Sequence, residues 1–311
     1  MTTRDEKLAA VYARCRTEGG VVDLSTRVKL RVTGADRVRY LNGQLTCDVR
    51  KLTPGVAVAA CVLTAKGKLC GEVLITAAPE AVYIDGDPSL REALPARLER
   101  YIVADDVAVE DVSDELRLIH CFGEPAPDAS AALTSRANRF GRSGIDLLVT
   151  PAEFDATWKL LSDTRPEVPD AMAETFRIEA GCPRWSHELD ENTLPPEAGL
   201  ERTHIDYHKG CYIGQEVVSR LKSIGHVNRV LTGFTAPATA TLKAGLQLFS
   251  PDAPDKALGV LTSVCWSFAL EKPIALGYLR RGSPAEGLLA REANASAPVT
   301  PVQIHELPFS S

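Results

Sequence analysis

The chain has 311 residues, of which 45% are hydrophobic and 24% are charged, and this composition excludes disordered and collagen-like proteins. A net charge of -6 argues against a surface that binds nucleic acid or an anionic membrane, so neither is expected as a partner. No apolar run reaches membrane-spanning length, and the first residues lack the apolar centre of a secretory signal, so we expect a cytoplasmic protein.

The first half of the chain alternates helices and strands. A helix near residues 4–18 precedes the extended stretch VVDLSTRVKLRVTG. The next stretch, ADRVRYLNGQLT, places Val38, Leu41 and Leu45 on one face and therefore predicts a second helix.

A hairpin that turns at Lys66-Gly67 and a strand AVYIDG follow. After them, PSLREALPARLERYI predicts a helix with a proline at its start and an interruption at Pro95. This mixture of helices and strands predicts an α+β fold.

Two features suggest domain boundaries. A Pro- and Ala-rich loop near 123–144 predicts a joint between two subdomains of a core that spans residues 1–229. From about Val230, short apolar runs alternate with Gly and Pro turns, which predicts a small β-barrel or sandwich over residues 230–311.

The eight cysteines are too widely spaced for a CxxC motif, which argues against a zinc knuckle or a thioredoxin-type pair. The spacing of His187, His204 and His208 matches no metal-ligand pattern either, so no metal site is predicted. Most of the cysteines are expected to be small buried hydrophobes.

The stretch KGCYIGQEVVSRL breaks this ordinary pattern. Val217, Leu221 and Ile224 have helical spacing, so Cys211 is expected just before a helix N-terminus. The helix dipole and nearby Lys209 would favour a thiolate, and the adjacent glycines would let a ligand approach closely. The alternative is a simple glycine turn in which Cys211 fills space.

A second unusual feature precedes this stretch. In DAMAETFRIEAG, Met172, Phe176 and Glu179 share one helical stripe, so Glu179 is expected to face the interior. A buried carboxylate requires a partner, either an arginine or lysine side chain or a ligand with N–H donors.

Three motifs together, RIEAG, DENTLPPEAGL and KGCYIGQEVVSRL, resemble the folate-binding YgfZ type of protein, which is related to the aminomethyltransferase (T-protein) of the glycine cleavage system. LRVTGADRVRYLNGQLTCDVRKL resembles the opening segment of that family and ALGYLRR resembles its closing barrel, so the resemblance covers nearly the whole chain. K-G-C-Y-x-G-Q-E is a specific motif.

The resemblance implies intertwined α+β subdomains around a central folate channel, with a C-terminal β-barrel. It implies tetrahydrofolate or a one-carbon derivative as the cofactor, and a role in assembling or repairing iron–sulfur clusters with client or carrier proteins as partners. By position, Cys211 and Lys209 match the residues on which this activity rests, and Glu179 matches the residue that holds the pterin.

Further motif positions are candidates for folate contacts. Trp185 and Tyr212 could stack on the pterin or benzoyl ring, or pack in the core. Gln215 belongs to the motif itself. Arg220 begins a basic run that could attract the glutamate tail or form a solvated helix face; its other members are Lys222, His226 and Arg229.

Two departures separate the chain from true aminomethyltransferases, whose motif resembles K-x-D-F-I-G-R-E and whose hairpin carries a catalytic Asp. Here Cys211 and Gln215 stand in the motif, and the hairpin reads Cys70, Gly71, Glu72. Aminomethyl transfer from a lipoyl carrier is therefore not expected unless Glu72 substitutes.

Three functions remain open from the sequence. The first is iron–sulfur support through Cys211, either as an iron ligand or as a redox or nucleophilic thiol. The second is a folate-dependent one-carbon transferase or demethylase acting on a small amine or methoxy donor, with Glu72 or Asp48 as the acid. The third is an interaction scaffold that has kept the fold and lost the ligand.

Overall fold

The computed structural model describes residues 3–123, 129, 131–293 and 299–309. Within these ranges no helix combines the length and the apolar character that a bilayer span requires. Six residues of the predicted subdomain joint, 124–128 and 130, lie outside the described residues.

The described part contains six α-helices, sixteen strands and four short 3-10 turns. The helices are α1 Thr3–Glu18, α2 Arg37–Gln44, α3 Ala93–Glu99, α4 Pro151–Ser162, α5 Asp170–Glu179 and α6 Gln215–Ser223. The strands are β1 Gly20–Asp23, β2 Val28–Thr33, β3 Ala57–Leu63, β4 Leu69–Ala77, β5 Val82–Gly86, β6 Ala108–Asp111, β7 Arg117–Phe122, β8 Leu133–Arg139, β9 Arg142–Val149, β10 Arg229–Thr235, β11 Gln247–Phe249, β12 Gly259–Ser267, β13 Lys272–Arg280, β14 Leu289–Arg291, β15 Thr300–Pro301 and β16 Gln303–His305. The 3-10 turns are Val49–Lys51, Pro88–Leu90, Pro195–Ala198 and Leu200–Arg202.

A five-stranded antiparallel sheet, in the order β3-β4-β5-β2-β6, forms the first layer. Its alternating apolar side chains pack against α2 and α3, and Leu41, Leu45, Leu94 and Leu98 are fully buried in this core. The predicted turn at Lys66-Gly67 is confirmed, since it joins β3 to β4.

A second, four-stranded sheet has the order β1-β7-β9-β8. A buried charge network joins it to the first sheet: the Arg139 guanidinium on β8 donates to Asp146 on β9 at 2.7 Å and also to Asp85 on β5. His120 on β7 completes the network through Nδ1, 2.8 Å from Asp146. Because these charges are paired, they can be buried between the sheets.

The C-terminal part forms a nearly closed seven-stranded antiparallel sheet in the order β15-β14-β11-β12-β13-β10-β16. Its interior is apolar and includes Phe234, Leu248 and Leu261. The α+β fold with a C-terminal barrel that the sequence predicted is therefore confirmed.

Helix α5 is locked to this barrel by buried polar contacts. The Arg177 guanidinium donates to Glu188 Oε2 at 3.0 Å and to Ser263 on β12. Glu188 Oε1 in turn accepts from the Thr262 and Ser263 hydroxyls, both at 2.6 Å. The Arg177 and Glu188 side chains are 4% and 0% exposed, so this pair is sealed from water.

Three local predictions were wrong. The stretch predicted as one helix interrupted at Pro95 is a 3-10 turn followed by α3, and Pro95 lies inside the first turn of α3, where a missing N–H costs nothing. On α2, Val38 is 37% exposed although Leu41 is buried. On α6 the buried residue is Val218, while Ile224 is 86% exposed, so the apolar stripe was assigned to the wrong face.

Candidate functional site

Residues 209–214, the part of the KGCYIGQE motif that precedes α6, form a loop that we call the KGCYIGQE loop, and Lys209 anchors its start. Its ammonium donates to the main-chain oxygens of Asn42 at 2.6 Å, of Leu45, and of Cys47 at 2.7 Å. The Asn42 and Leu45 carbonyls lie at the C-terminal end of α2, where a cation is favoured, and Cys47 lies in the loop that follows. Burial lowers the pKa of Lys209 to about 8, so it is charged at neutral pH and all three of its N–H donors are used. None of the three is left for a thiolate or a folate carboxylate.

The end of the loop is fixed by different contacts. The Ile213 N–H donates to the Gly43 oxygen at 3.1 Å, and the Tyr212 N–H donates to Gln215 Oε1 at 3.2 Å. Tyr212 is buried in an apolar cluster, and burial raises its pKa to about 12. Gly214 has a positive φ of 87°, and a Cβ there would come within 2.5 Å of the Thr64 oxygen. The structure therefore gives Tyr212, Gln215 and Gly214 packing and turn contacts within the protein.

Between these anchors, Cys211 and Gly210 face open space. Of the eight cysteines, all in the described part of the chain, Cys211 is the exposed one. A Cβ added at Gly210 would meet no atom within 4 Å. The loop therefore presents a free thiol on a backbone that is held on both sides.

A cavity of about 770 Å³ lies beside the loop, and we call it the α6 cavity. It is bounded by Leu221 and Lys222 of α6, by the segment 201–208 and by residues from the end of α2 to β3. Its lining residues are Cys47, Asp48, Lys51, Leu52, Val58, Ala59, Pro196, Glu201, Arg202, Thr203, His204, Ile205, Asp206, Tyr207, His208, Leu221 and Lys222. The volume falls in the range of small-molecule sites.

One wall of the α6 cavity carries a chain of polar side chains. Nε2 of His204 lies 3.1 Å from Glu72 Oε1, and Nδ1 lies 2.8 Å from the Thr203 hydroxyl. Burial alone would raise the pKa of Glu72, but the hydrogen bond and charge of His204, together with the charges of Arg27 and Arg139, lower it. A carboxylate, an imidazole and a hydroxyl in this order can hold and move a proton at the cavity wall.

The hairpin run Cys70, Gly71, Glu72 has no room for an additional acid at position 71. A Cβ at Gly71 would lie 3.2 Å from Leu90 Cδ1 and 3.5 Å from Leu94 Cδ1, inside the apolar core. Glu72 points to the opposite face of β4 because side chains alternate along a strand. Glu72, the acid of this run, therefore contacts His204 and not the apolar core.

Glu179 is buried, as its helical stripe predicted, with 3% of the residue exposed. Its two carboxylate oxygens accept from two hydroxyls: Tyr12 donates to Oε2 at 2.9 Å and Ser267 donates to Oε1 at 2.6 Å. The partner is thus neither of the two that the sequence suggested. Glu179 and Cys211 are both absent from the lining of the α6 cavity, so this cavity does not bring the two residues together.

The remaining predicted residues lie in two places. Trp185 is half-buried and packs between the core of the five-stranded sheet and the cluster that contains Tyr212. Arg220 is exposed on α6. Of its basic neighbours, Lys222 lies 3.4 Å from the centre of the Tyr207 ring, and Arg229 donates to Glu197 at 3.1 Å.

No sequence pattern pointed to Glu201 or Thr203, and the spacing of His204 argued only against a metal site. All three belong to the irregular segment between α5 and α6, where no periodicity indicates which way a side chain points. Its length was the available signal, because long irregular segments in compact domains tend to carry function. Among the described residues, no group of three or more His, Cys, Asp or Glu side chains is arranged to hold a metal ion.

Comparison with known proteins relates this architecture to one fold. Residues 2–142 match the family model of the GCVT N-terminal domain. The aminomethyltransferase of Streptomyces avermitilis is 26% identical over 98% of this chain and 89% of that relative, and that of Saccharopolyspora erythraea is 25% identical over 97% and 89%. The crystal structure of glycine cleavage system aminomethyltransferase T from Bartonella henselae superposes with a TM-score of 0.85 at 18% identity, over 97% of this chain and 89% of that one.

Proposed function

We propose that this chain, which carries a GCVT N-terminal domain within a T-protein-like fold, binds tetrahydrofolate and supports the assembly or repair of iron–sulfur clusters in client enzymes through Cys211. The observation that carries the proposal is the exposure of Cys211 on a loop pinned at both ends. Because both ends of the loop are held, Cys211 stays exposed at a fixed position, where a partner can contact its thiol.

The chemistry of the α6 cavity fits tetrahydrofolate. Its apolar lining, which includes Leu52, Val58 and Ile205, suits the rings of the ligand, and Lys222 suits its carboxylates. Bound tetrahydrofolate would supply the reduced pteridine nitrogens that carry one-carbon units.

A single thiol can provide one ligand to a cluster, and clusters in proteins are held by several cysteines. In the described ranges no second cysteine joins Cys211 in a metal-binding group. Cys47 lines the α6 cavity, but burial raises its pKa to about 12 and keeps it a thiol. The iron–sulfur cargo would therefore be held jointly with a client or carrier protein.

A genetic experiment tests the role of Cys211. Cells that lack this protein are complemented with wild type, Cys211→Ala or Cys182→Ala, and the activity of an iron–sulfur enzyme is measured. Cys182 is a half-buried cysteine outside the loop and serves as the matched control. Wild type and Cys182→Ala should restore activity and Cys211→Ala should not, at equal protein levels. Full restoration by Cys211→Ala would overturn the proposal.

A second function, folate-dependent one-carbon transfer to or from a small amine or methoxy compound, is favoured by the Glu72–His204–Thr203 chain. The two compared relatives are named aminomethyltransferases and are 26% and 25% identical to this chain. With a panel of donors, wild type should convert tetrahydrofolate to its methylene or methyl form, and His204→Gln should not. Absence of turnover with every donor would remove this candidate.

Binding itself is tested by titrating tetrahydrofolate against tryptophan fluorescence, since half-buried Trp185 packs on the core and on the cluster that contains Tyr212. Saturation with a Kd of about 1 μM or tighter is expected. A chain that had kept the fold and lost the ligand would give no saturable change.

A further inference from the structure

Three exposed apolar side chains lie where α2 meets the segment that follows α3, and we call them the α2–α3 surface. Val103 is 91% exposed, and Val38 and Tyr101 are each 37% exposed. Nine large hydrophobic side chains are exposed in the part of the chain that the structure describes, and three of them belong to this surface. Single exposed apolar residues are ordinary on a protein, whereas a group of them marks an interaction site.

Hydrogen bonds hold together the two segments that carry these side chains. The Arg39 guanidinium on α2 donates to Asp105 Oδ1 at 2.5 Å. The Asp106 N–H donates to Oδ2 of Asp36, the residue before α2, at 3.0 Å. The segment after α3 is therefore fixed against the start of α2, and the apolar side chains are presented together.

Tyr101 has the character of a preformed anchor. The Arg97 guanidinium lies 4.6 Å from the centre of its ring, and that of Arg100 lies 5.9 Å from it. Arg97 is itself held, because it donates to the Leu63 oxygen at 2.7 Å and to Gln44 Oε1 at 2.9 Å. Arg100 is exposed and forms no ion pair within the described residues, so it is available to a carboxylate of a partner. Tyrosine and arginine are enriched among the residues that dominate binding energy in protein interfaces.

The α2–α3 surface continues into the KGCYIGQE loop through the end of α2. Gly43, next to Gln44 on α2, accepts from the Ile213 N–H at 3.1 Å. A Cβ added at Gly43 or at Gly210 would meet no atom within 4 Å, so the main chain is uncovered at both glycines. An interface of ordinary size, about 800 Å² on each partner, can therefore cover the apolar side chains and the exposed thiol of Cys211 together.

We propose that the α2–α3 surface docks the iron–sulfur client or carrier protein that uses Cys211, through an apolar face of that partner bordered by a carboxylate for Arg100. This inference rests on the proposed function. It gives a reason for the exposure of Val38, which helical spacing had placed with buried Leu41. A monomer gains nothing from an exposed apolar side chain, whereas its burial in an interface is favourable.

Complementation with surface variants tests the docking. Cells that lack this protein receive wild type, Val103→Glu, Tyr101→Glu, Cys211→Ala or the control Leu160→Glu, and the activity of an iron–sulfur enzyme is measured at equal protein levels. Leu160 is matched because it is an apolar residue, 52% exposed, on α4. Each purified surface variant is checked for folding by thermal melts, for tetrahydrofolate binding by calorimetry and for access to Cys211 by alkylation with iodoacetamide.

Val103→Glu and Tyr101→Glu should restore about one tenth of the wild-type activity or less, because a carboxylate inside an apolar interface weakens binding by about 10-fold or more. Both should fold, bind tetrahydrofolate and react with iodoacetamide like wild type, and Leu160→Glu should restore full activity. Full restoration by both surface variants, with Cys211→Ala inactive, would overturn the docking and leave the proposed function intact. Restoration by Cys211→Ala would instead remove the proposed function.

Two further measurements separate a partner protein from other occupants of the surface. Analytical ultracentrifugation should find wild type monomeric, and flotation with phosphatidylglycerol vesicles should leave it unbound. A wild-type dimer that Val103→Glu dissociates would assign the surface to a second copy of the chain. Vesicle binding that Val103→Glu abolishes would assign it to a membrane. Either result would overturn the docking of a client or carrier protein.

Discussion

Two regions of this molecule handle buried carboxylates in opposite ways. Around α5, Glu188 and Glu179 are almost fully buried and every oxygen has a donor inside the protein. Around the α6 cavity, Glu201 is half-buried and one of its oxygens has none. The carboxylates of the first region have all their hydrogen-bond donors without a ligand, and the carboxylate of the second region does not.

This difference has a physical consequence for function. A satisfied carboxylate gains little from a ligand, because the new hydrogen bonds replace bonds that already exist. An unsatisfied one gains the full value of the new bonds. Binding energy is therefore more readily available at the α6 cavity than at α5, where the buried carboxylates already take part in the contacts between the helix and the barrel.

The KGCYIGQE loop shows the same division on a smaller scale. Lys209 has all its donors committed to carbonyls, whereas Cys211, two residues later, contacts solvent. Two positions of one motif thus have different tasks: one holds the loop in place and the other is available to a partner.

The largest expected effect tests whether the α5 region is closed. Arg177→Met would leave the fully buried Glu188 without its cation and should lower the free energy of unfolding by about 3–5 kcal/mol in a denaturant titration. The double variant Arg177→Met/Glu188→Met removes both fully buried charges and should recover part of the loss, because Glu174 still lacks the arginine that it pairs with in wild type. A loss below about 1 kcal/mol for the single variant would show that water reaches this pair.

The next prediction separates the two tasks of the loop. Lys209→Met removes three donors from three carbonyls and should destabilise the protein by about 2–4 kcal/mol. Cys211→Ala changes an exposed side chain and should stay within about 0.5 kcal/mol of wild type. Thermal unfolding of both variants is the measurement. Equal effects would mean that the thiol, too, is structural.

The sequence predicted those parts of the fold that follow from periodicity. The hairpin at Lys66-Gly67, the inward position of Glu179 and the β-rich C-terminal part all follow from local patterns, and all are confirmed. The sequence could not predict the partners of Glu179, because Tyr12 and Ser267 come from distant parts of the chain and are brought to α5 only by tertiary packing.

The α6 cavity was beyond sequence reasoning for a related reason. Its walls come from the end of α2, from β3, from an irregular segment and from α6, and no single stretch carries its signature. The face of α6 was misassigned because the helix has few apolar residues, and burial of Val218 depends on the cluster around Tyr212 rather than on helical period.

A smaller effect contrasts the two carboxylates directly. Glu179→Gln introduces a donor opposite two hydroxyls and should cost about 1–2 kcal/mol of stability. Glu201→Gln removes a charge that has no partner in the described part of the molecule, and should leave stability unchanged or raise it by up to about 1 kcal/mol. Chemical denaturation without ligand measures both. A marked loss of stability in Glu201→Gln would show that Glu201 already has a structural role.

The smallest expected effect concerns the pH dependence of the cavity wall. His204 holds the pKa of Glu72 below its ordinary value of about 4.3, despite burial. A depressed carboxyl pKa contributes stability that is present above the unfolded pKa and is lost as the pH falls through the folded pKa. Between pH 5 and pH 3, wild type should therefore lose more stability than His204→Gln, by about 0–1 kcal/mol because the pair is partly exposed. If stability fell in parallel with pH in the two proteins, His204 would not lower the pKa of Glu72. The proposed role of this wall in holding a proton would then be wrong.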